Sequence, residues 1–159
     1  MPSKKVLQCS ELLASKNYSI AFAESATAGR MCSEFSVTPY CGDILIGGIT
    51  SYDLSVKENV LKVPHALIEK YTPESAEVTQ AMAERALPFF KTDVIVAVTG
   101  LIAPGGSETQ EKPVGTMFIH IILPGKSLSD RTVFSGSPEE IVLQTIDKAA
   151  FLISEYLKD

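Results

Sequence analysis

Three clusters of polar residues and glycines follow apolar segments of the sequence, and each has residue types that can do chemistry. The first contains Ser25, the second contains Tyr52 and Lys57, and the third is a glycine-rich segment between Thr99 and Thr116. Folds that alternate helices with parallel strands bind their ligands at the carboxyl ends of the strands. We therefore expect the three clusters to lie at such strand ends.

Ser25 is either a nucleophile exposed on a strand-to-helix turn or simply the cap of the helix that follows. It lies in no GxSxG pattern, which is the usual serine-hydrolase signature. The chain has 2 histidines, His65 at the start of a predicted helix and His120 within a predicted strand. Neither position favours a histidine that acts as a base toward Ser25, so a catalytic triad with histidine is disfavoured.

Lysine and tyrosine are the remaining candidates for a base. Lys57 follows Tyr52 closely enough for both to point into one cleft, if Tyr52 ends a strand and Lys57 lies on the next helical turns. A lysine acts as a base only when burial or neighbouring cations lower its pKa substantially. From the spacing alone, a solvated Lys57 is the alternative interpretation.

The third cluster has a glycine-rich segment that reads GLIAPGGS. It differs from the phosphate-loop pattern GxxxxGK[ST] because Gly106 stands where the lysine is required, which disfavours a nucleoside triphosphatase. The backbone amides of Gly100, Gly105 and Gly106 could still hold a phosphate or an oxyanion. A glycine-rich surface loop is the alternative.

The apolar pattern predicts the elements that position these clusters. Helices are predicted over 3–16, after Ser25, over 55–61, from Thr72-Pro73-Glu74-Ser75 to about Phe90, and from Ser137-Pro138 to about Leu157; strands are predicted over 18–23, 44–52, 94–99, 116–123 and 131–134. The tight Pro124-Gly125 connection predicts one antiparallel pair. The alternation predicts an α/β fold, a three-layer α/β/α sandwich with a mixed, mostly parallel sheet in a single domain over residues 1–159.

Composition excludes several classes of function. The 159 residues carry a net charge of −5 and no clustered basic patch, which disfavours nucleic-acid binding. No apolar segment is long enough to span a membrane. The 3 cysteines match no zinc-binding spacing, and the N-terminus lacks the features of a signal peptide, so we expect reduced thiols and a cytoplasmic location.

Four segments resemble, in order and spacing, the signature motifs of the CinA C-terminal domain family, the nicotinamide mononucleotide deamidases. They read AESATAG, ILIGGITSYDLSVKENVL, VAVTGLIAPGGS and EKPVGT, and the resemblance covers nearly the whole chain. It implies an α/β/α sandwich that hydrolyses the carboxamide of nicotinamide mononucleotide to nicotinic acid mononucleotide and ammonia, in pyridine-nucleotide recycling. It implies no metal or redox cofactor.

The resemblance also implies roles for individual residues. The matching catalytic positions are Ser25 as nucleophile with Tyr52 and Lys57, where Lys57 accepts the Ser25 proton directly or through Tyr52. Further candidates are Gly47, Gly48 and Gly100 for the oxyanion, the loop with Gly105 and Gly106 together with Lys112 and Arg30 for the phosphate, Thr99 and Thr116 for the pocket wall, and Glu24 for orienting Lys57 or Arg30. Small α/β enzymes are often homodimers, so we expect a homo-oligomer.

Some positions depart from the family pattern. Ala26 and Ala28 replace residues of the usual ESCTGG motif, Ala103 replaces a glycine of TGIAGPGG, and no arginine precedes the last helix near Pro138. A glycine with positive φ tolerates alanine poorly. Two alternatives therefore stay open: a degenerate paralogue that binds a nucleotide or a protein partner without turnover, and an enzyme that forms a Schiff base at Lys57.

Overall fold

The fold alternates helices and strands along the chain. The computed structural model describes residues 1–158, and its element bounds are as follows. The helices are α1 (Lys4–Ser15), α2 (Arg30–Ser36), α3 (Cys41–Ile44), α4 (Leu54–Asn59), α5 (His65–Tyr71), α6 (Ala76–Phe90) and α7 (Pro138–Leu157). The strands are β1 (Ile20–Glu24), β2 (Leu45–Thr50), β3 (Val94–Gly100), β4 (Thr116–Leu123) and β5 (Lys126–Val133).

The strands form one 5-stranded sheet in the order β2-β1-β3-β4-β5. Strand β1 pairs in parallel with β2 and β3, whereas β4 is antiparallel to both β3 and β5. Every strand except β4 therefore runs in the same direction, which confirms the predicted mixed, mostly parallel sheet. The predicted tight turn joins β4 to β5, with Gly125 at a φ of 79°.

Helices cover both faces of the sheet. On one face, large side chains such as Phe22, Val96 and Ile119 pack against α1 and α7. On the other face, Ala23 and Ala97 leave room for α6 to lie close to the sheet. Strands β1 and β3 are continuous apolar runs because both of their faces are buried, as is usual for central parallel strands. The three-layer α/β/α sandwich is confirmed.

Two boundaries differ from the prediction by more than two residues. Helix α6 begins at Ala76 with Ser75 as its cap, since the Ser75 hydroxyl accepts a hydrogen bond from the Val78 amide. Thr72 and Pro73 were predicted to start this helix, but Thr72 has a φ of 70° and lies outside it. Strand β5 begins at Lys126 rather than at 131, because it is a largely exposed edge strand whose polar first half gives no apolar signal.

Candidate active site

Ser25 lies on the turn that follows β1, at the carboxyl ends of the parallel strands. Its backbone N–H donates to the carbonyl of Val98 on β3 at 3.0 Å, which extends the strand pairing by one residue. Helix α2 begins only at Arg30, with Gly29 as its cap at a φ of 90°. Ser25 therefore does not cap this helix, and the cap interpretation was wrong.

Glu24 performs the capping instead. Its buried carboxylate accepts hydrogen bonds from the backbone N–H groups of Met31 at 2.8 Å and Cys32 at 3.0 Å. A carboxylate at the start of a helix satisfies free N–H donors and interacts favourably with the helix dipole. The expectation that Glu24 orients Lys57 or Arg30 was wrong, because both oxygens are used in holding α2 beside the Ser25 turn.

Lys57 reaches Ser25 from α4. Parallel pairing of β1 with β2 places Glu24 opposite Thr50, so the residues that follow the two strands lie side by side. The side chain of Lys57 is buried, with the residue only 1% exposed. Its Nζ lies 2.8 Å from Ser25 Oγ, 2.5 Å from the carbonyl oxygen of Ser51 and 3.4 Å from that of Tyr52. The structure thus excludes a solvated Lys57.

The surroundings of Lys57 change its acidity. Burial lowers the pKa of Lys57 below its ordinary value, and the negative charges of Glu74 and Asp53 oppose this change without cancelling it. Desolvation disfavours the charged form of an amine. The neutral amine is therefore more accessible here than on a solvent-exposed lysine.

Tyr52 contributes its backbone carbonyl and its ring to the site, but not its hydroxyl. The side chain is 65% exposed, and its hydroxyl makes no hydrogen bond within residues 1–158. The ring nevertheless lines the same cavity as Ser25. The structure brings the Tyr52 carbonyl to Lys57 but not the Tyr52 hydroxyl, so it offers no proton path through that hydroxyl.

A cavity of about 220 Å³ opens beside Ser25. Its walls are formed by Ser25, Ala26, Tyr52, Glu74 and the glycine-rich segment 100–106. Gly100 ends β3 at this wall, and a Cβ there would overlap Met117 Sδ and lie 2.8 Å from the carbonyl oxygen of Thr116. A glycine is required because β4 passes too close for any side chain.

The amides of Gly105 and Gly106 already bind an anion. They donate to the two carboxylate oxygens of Glu108 at 2.7 Å and 2.8 Å, and these bonds lower the pKa of Glu108. Two successive backbone N–H groups aimed at one carboxylate form the kind of nest that binds anions. A ligand phosphate at this place would have to displace Glu108.

Lys112 is an anchor within the loop rather than a group that lines the cavity. Its Nζ donates to Thr72 Oγ1 at 2.7 Å, to the carbonyl oxygen of Glu74 at 2.9 Å and to Ser107 Oγ at 2.8 Å. An ammonium has three N–H donors, so all of them are used. Lys112 ties the glycine-rich segment to the turn before α6.

The two threonines at the ends of β3 and β4 are buried and satisfied within the protein. Thr99 Oγ1 lies 2.8 Å from Thr79 Oγ1 of α6, and Thr116 Oγ1 donates to the carbonyl of Pro113 at 2.6 Å. Neither forms part of the cavity wall. Their hydroxyls hold the strand ends in place.

Arg30 and the glycine pair of β2 also lie outside the cavity. The guanidinium of Arg30 pairs with Glu34 at 2.7 Å and Glu139 at 3.4 Å, beside a separate depression near the N-terminus. Gly47 and Gly48 pair with β1 opposite Ala21 and Phe22, before the strand ends. The structure does not bring these three candidates to Ser25.

Neither histidine lines the cavity. His120 Nδ1 lies 2.7 Å from Ser129 Oγ across the β4–β5 pair, and burial lowers the pKa of its imidazole. His65 is exposed and pairs with Glu58 at 2.6 Å. The prediction that neither serves Ser25 agrees with these positions.

One residue of this site, Glu74, was missed in the sequence. Glu74 was interpreted as an acid in the first turn of a helix, whereas it lies before α6 on the cavity wall. Choosing Ser75 as the cap would have placed it correctly. Ala28, by contrast, was recognised as a departure from the family motif, and its φ of 48° shows that this alanine itself adopts the left-handed conformation.

The fold and the cavity define a three-layer α/β/α domain with a serine and a buried lysine at the carboxyl ends of adjoining parallel strands. The chain belongs to the CinA C-terminal domain family, whose profile matches residues 3–157. None of the helices within residues 1–158 is long and apolar enough to cross a membrane.

Curated proteins similar to this chain carry names of the same family. The chain is 37% identical over 140 residues to a CinA-like protein from Prochlorococcus marinus and 36% identical over 147 residues to one from Desulfotalea psychrophila. These alignments cover 87% and 92% of this chain but only 33% and 35% of the relatives. The chain thus spans about a third of the length of the curated relatives it matches.

Solved structures show the same fold. A CinA superfamily protein from Klebsiella pneumoniae superimposes with a TM-score of 0.91 at 22% identity, covering 98% of this chain and 96% of that one. A competence/damage inducible protein from Agrobacterium tumefaciens superimposes with a TM-score of 0.89 at 22% identity, covering 100% and 99%.

Proposed function

We propose that this domain is an amidohydrolase that converts nicotinamide mononucleotide to nicotinic acid mononucleotide and ammonia through a Ser25 acyl-enzyme. The observation that supports the chemistry is the buried Lys57 amine 2.8 Å from Ser25 Oγ at the edge of a cavity. The substrate follows from the resemblance of four motifs to those of the nicotinamide mononucleotide deamidases.

The contacts of Lys57 suit a general base. When the Lys57 amine is neutral, its two N–H groups donate hydrogen bonds to the carbonyl oxygens of Ser51 and Tyr52. This arrangement turns the nitrogen lone pair toward Ser25 Oγ. Both carbonyls belong to the backbone that follows β2, so the amine is oriented before substrate binds. A base within hydrogen-bond reach of the hydroxyl meets the geometric requirement for proton transfer.

The proposed reaction needs only these groups and water. Lys57 takes the Ser25 proton as Oγ attacks the carboxamide carbon, and the resulting ammonium donates that proton to the departing amine, which leaves as ammonia. Water then attacks the acyl-enzyme while Lys57 accepts its proton and returns it to Ser25. The products are the carboxylic acid and free enzyme.

A donor for the oxyanion lies next to the nucleophile. Ala26 lines the cavity, and its backbone N–H donates to no group within residues 1–158. The amide after a nucleophilic serine serves this purpose in other hydrolases, where one donor contributes about 3 to 4 kcal/mol. Ala26 is therefore a better-placed donor than Gly47 or Gly48.

The test is ammonia release from nicotinamide mononucleotide by wild type, Ser25→Ala and Ser33→Ala. Ser33 is an exposed serine of α2, so it controls for the substitution itself. We expect Ser25→Ala to lose at least about a thousandfold in rate with an unchanged melting temperature, because the acyl bond forms on the Ser25 hydroxyl. Near-native turnover by Ser25→Ala would refute the nucleophile.

Binding without turnover is the second candidate. It is favoured by the absence of any lysine or arginine from the described residues of the cavity wall, which leaves the substrate phosphate without a cationic partner there. In that case nicotinamide mononucleotide raises the melting temperature of the wild-type protein and is recovered unchanged.

A further inference from the structure

We propose that Glu74 selects a ligand with a positively charged aromatic ring for the Ser25 cavity, so that pyridinium nucleotides bind in preference to uncharged analogues. Glu74 and the ring of Tyr52 both line this cavity. A carboxylate attracts a cation directly, and the face of an aromatic ring attracts it through its quadrupole. This role rests on the proposed function, whose substrate carries such a ring.

The carboxylate of Glu74 forms no salt bridge within residues 1–158. One oxygen accepts a hydrogen bond from the Ser107 hydroxyl at 2.5 Å, and no salt bridge is formed. Lys112 lies close by but donates to the backbone carbonyl of Glu74. The charge of Glu74 acts on Lys112 and Lys57, where it opposes the lowering of each pKa by burial, but neither ammonium lies within ion-pair distance of the carboxylate. The carboxylate can therefore still pair with a cationic ligand in the cavity.

The backbone around Glu74 is held in an unusual conformation. Thr72 has a φ of 70° and a ψ of 158°, a region that β-branched residues rarely adopt. Lys112 stabilises it by donating to Thr72 Oγ1, to the Glu74 carbonyl and to Ser107 Oγ. Strain that is maintained by a dedicated anchor is typical of residues that position a functional group.

Glu74 is the sole charged residue among the described residues that line the cavity. Its field also reaches Lys57, whose pKa it raises. A cationic ring bound between Glu74 and Lys57 would offset that effect, because a second positive charge favours the neutral amine. Glu74 thus attracts the substrate, and the substrate in turn favours the form of Lys57 that can act as a base.

The matched probes are nicotinamide mononucleotide and its reduced form, 1,4-dihydronicotinamide mononucleotide. Both have the same ribose, phosphate and carboxamide, but only the oxidised ring is charged. Binding is measured by calorimetry on the full chain with Ser25→Ala, so that turnover does not interfere. The same background then carries Glu74→Gln, Glu74→Asp or, as control, Glu77→Gln. Glu77 is exposed and lines a neighbouring groove but not the cavity.

We expect the oxidised form to bind about tenfold more tightly than the reduced form, which corresponds to ~1.4 kcal/mol of added attraction. Glu74→Gln should bring the ratio of the two dissociation constants close to one, mainly by weakening the oxidised form. Glutamine keeps the size of the side chain and an acceptor for Ser107. Glu74→Asp and Glu77→Gln should keep the preference.

An unchanged ratio in Glu74→Gln, equal binding of both forms before substitution, or binding of neither form would overturn the proposal. The proposed function fails separately, if the chain with an intact Ser25 releases no ammonia. If the preference for the oxidised form depends on Glu74 but the chain releases no ammonia, the domain binds pyridinium nucleotides without turnover. Ammonia release with no effect of Glu74→Gln on the ratio would leave the deamidase without this selectivity.

Discussion

Replacing Lys57 with methionine removes the proposed base while keeping an unbranched side chain in its buried site. The amine lies 2.8 Å from Ser25 Oγ, so the substitution deletes proton transfer directly. General acid–base catalysis contributes about 10²- to 10⁴-fold, and we expect kcat/KM for ammonia release to fall by that factor. The loss corresponds to ~3 to 5 kcal/mol of transition-state stabilisation.

The proposed role of Lys57 as base gives the pH dependence of wild-type turnover a defined sign. Only the neutral amine accepts a proton, so the rate rises with pH through the pKa of Lys57 and then levels off. Burial lowers this pKa from 10.5, with Glu74 and Asp53 opposing the change, and the rise therefore lies below pH 10.5. In Lys57→Met we expect the residual rate to lack this rise.

Stability has a matching pH dependence. Between the folded-state pKa of Lys57 and its ordinary value, the unfolded chain binds the extra proton, so the free energy of unfolding increases with pH across that window. The destabilisation from burying an ammonium is fully present below the folded-state pKa. Urea unfolding of Lys57→Met should lack this increase.

The assay is coupled detection of ammonia from about pH 6 up to pH 10.5, the ordinary lysine pKa below which the rise is expected. Lys70→Met, an exposed lysine on α5, is the control and should behave like wild type. The assignment of Lys57 as general base is refuted if Lys57→Met keeps more than about a tenth of wild-type kcat/KM, since loss of a general base lowers the rate by more than that. An unchanged rise with pH in Lys57→Met would refute the assignment of the titrating group.

Two further predictions concern the backbone of the site. Ala28→Gly should raise the free energy of unfolding by about 0.5 to 1 kcal/mol. A left-handed φ costs an alanine ~1 to 2 kcal/mol, and the greater freedom of glycine in the unfolded chain offsets ~0.4 to 1 kcal/mol of that gain. A lower urea midpoint for Ala28→Gly would contradict this prediction. Gly100→Ala should lower that free energy by about 1 to 3 kcal/mol through overpacking against Thr116 and Met117. Its control is Gly42→Ala, where a Cβ meets nothing within 4 Å, and equal melting temperatures of the two variants would contradict the prediction.

Much of the fold follows from local pattern. The central strands β1 and β3 were predicted because strands buried on both faces are continuously apolar, and α7 was predicted from its Ser137-Pro138 start, which forms a capping box in the structure. The first half of β5 was missed since an exposed edge strand carries polar residues. Helix α6 was extended too far toward its N-terminus because Thr72 and Pro73 have the residue types of a cap and a first turn.

The site was less predictable, since its contacts depend on sheet order. Ser25 and Lys57 are separated in sequence, and only the parallel pairing of β1 with β2 brings them together. Arg30 and Lys112 were chosen for their charge, but the fold supplies each of them with partners elsewhere. Glu74 lines the cavity because Ser75 rather than Thr72 caps α6, and residue type alone did not distinguish these two possible caps.

The position of β2 at the edge of the sheet has a consequence for how the proposed activity would be lost. Strand β2 pairs on one side only, and its register with β1 is interrupted between Ile20 and Ala21. Native proteins open in partial steps, beginning with segments that have few buried contacts. Detachment of β2 would carry α4 and Lys57 away from Ser25 while β1, β3 and β4 remained folded. Heat or denaturant would then inactivate the domain at the temperature or concentration at which β2 and α4 detach. This would lie below the temperature or concentration at which the core unfolds cooperatively.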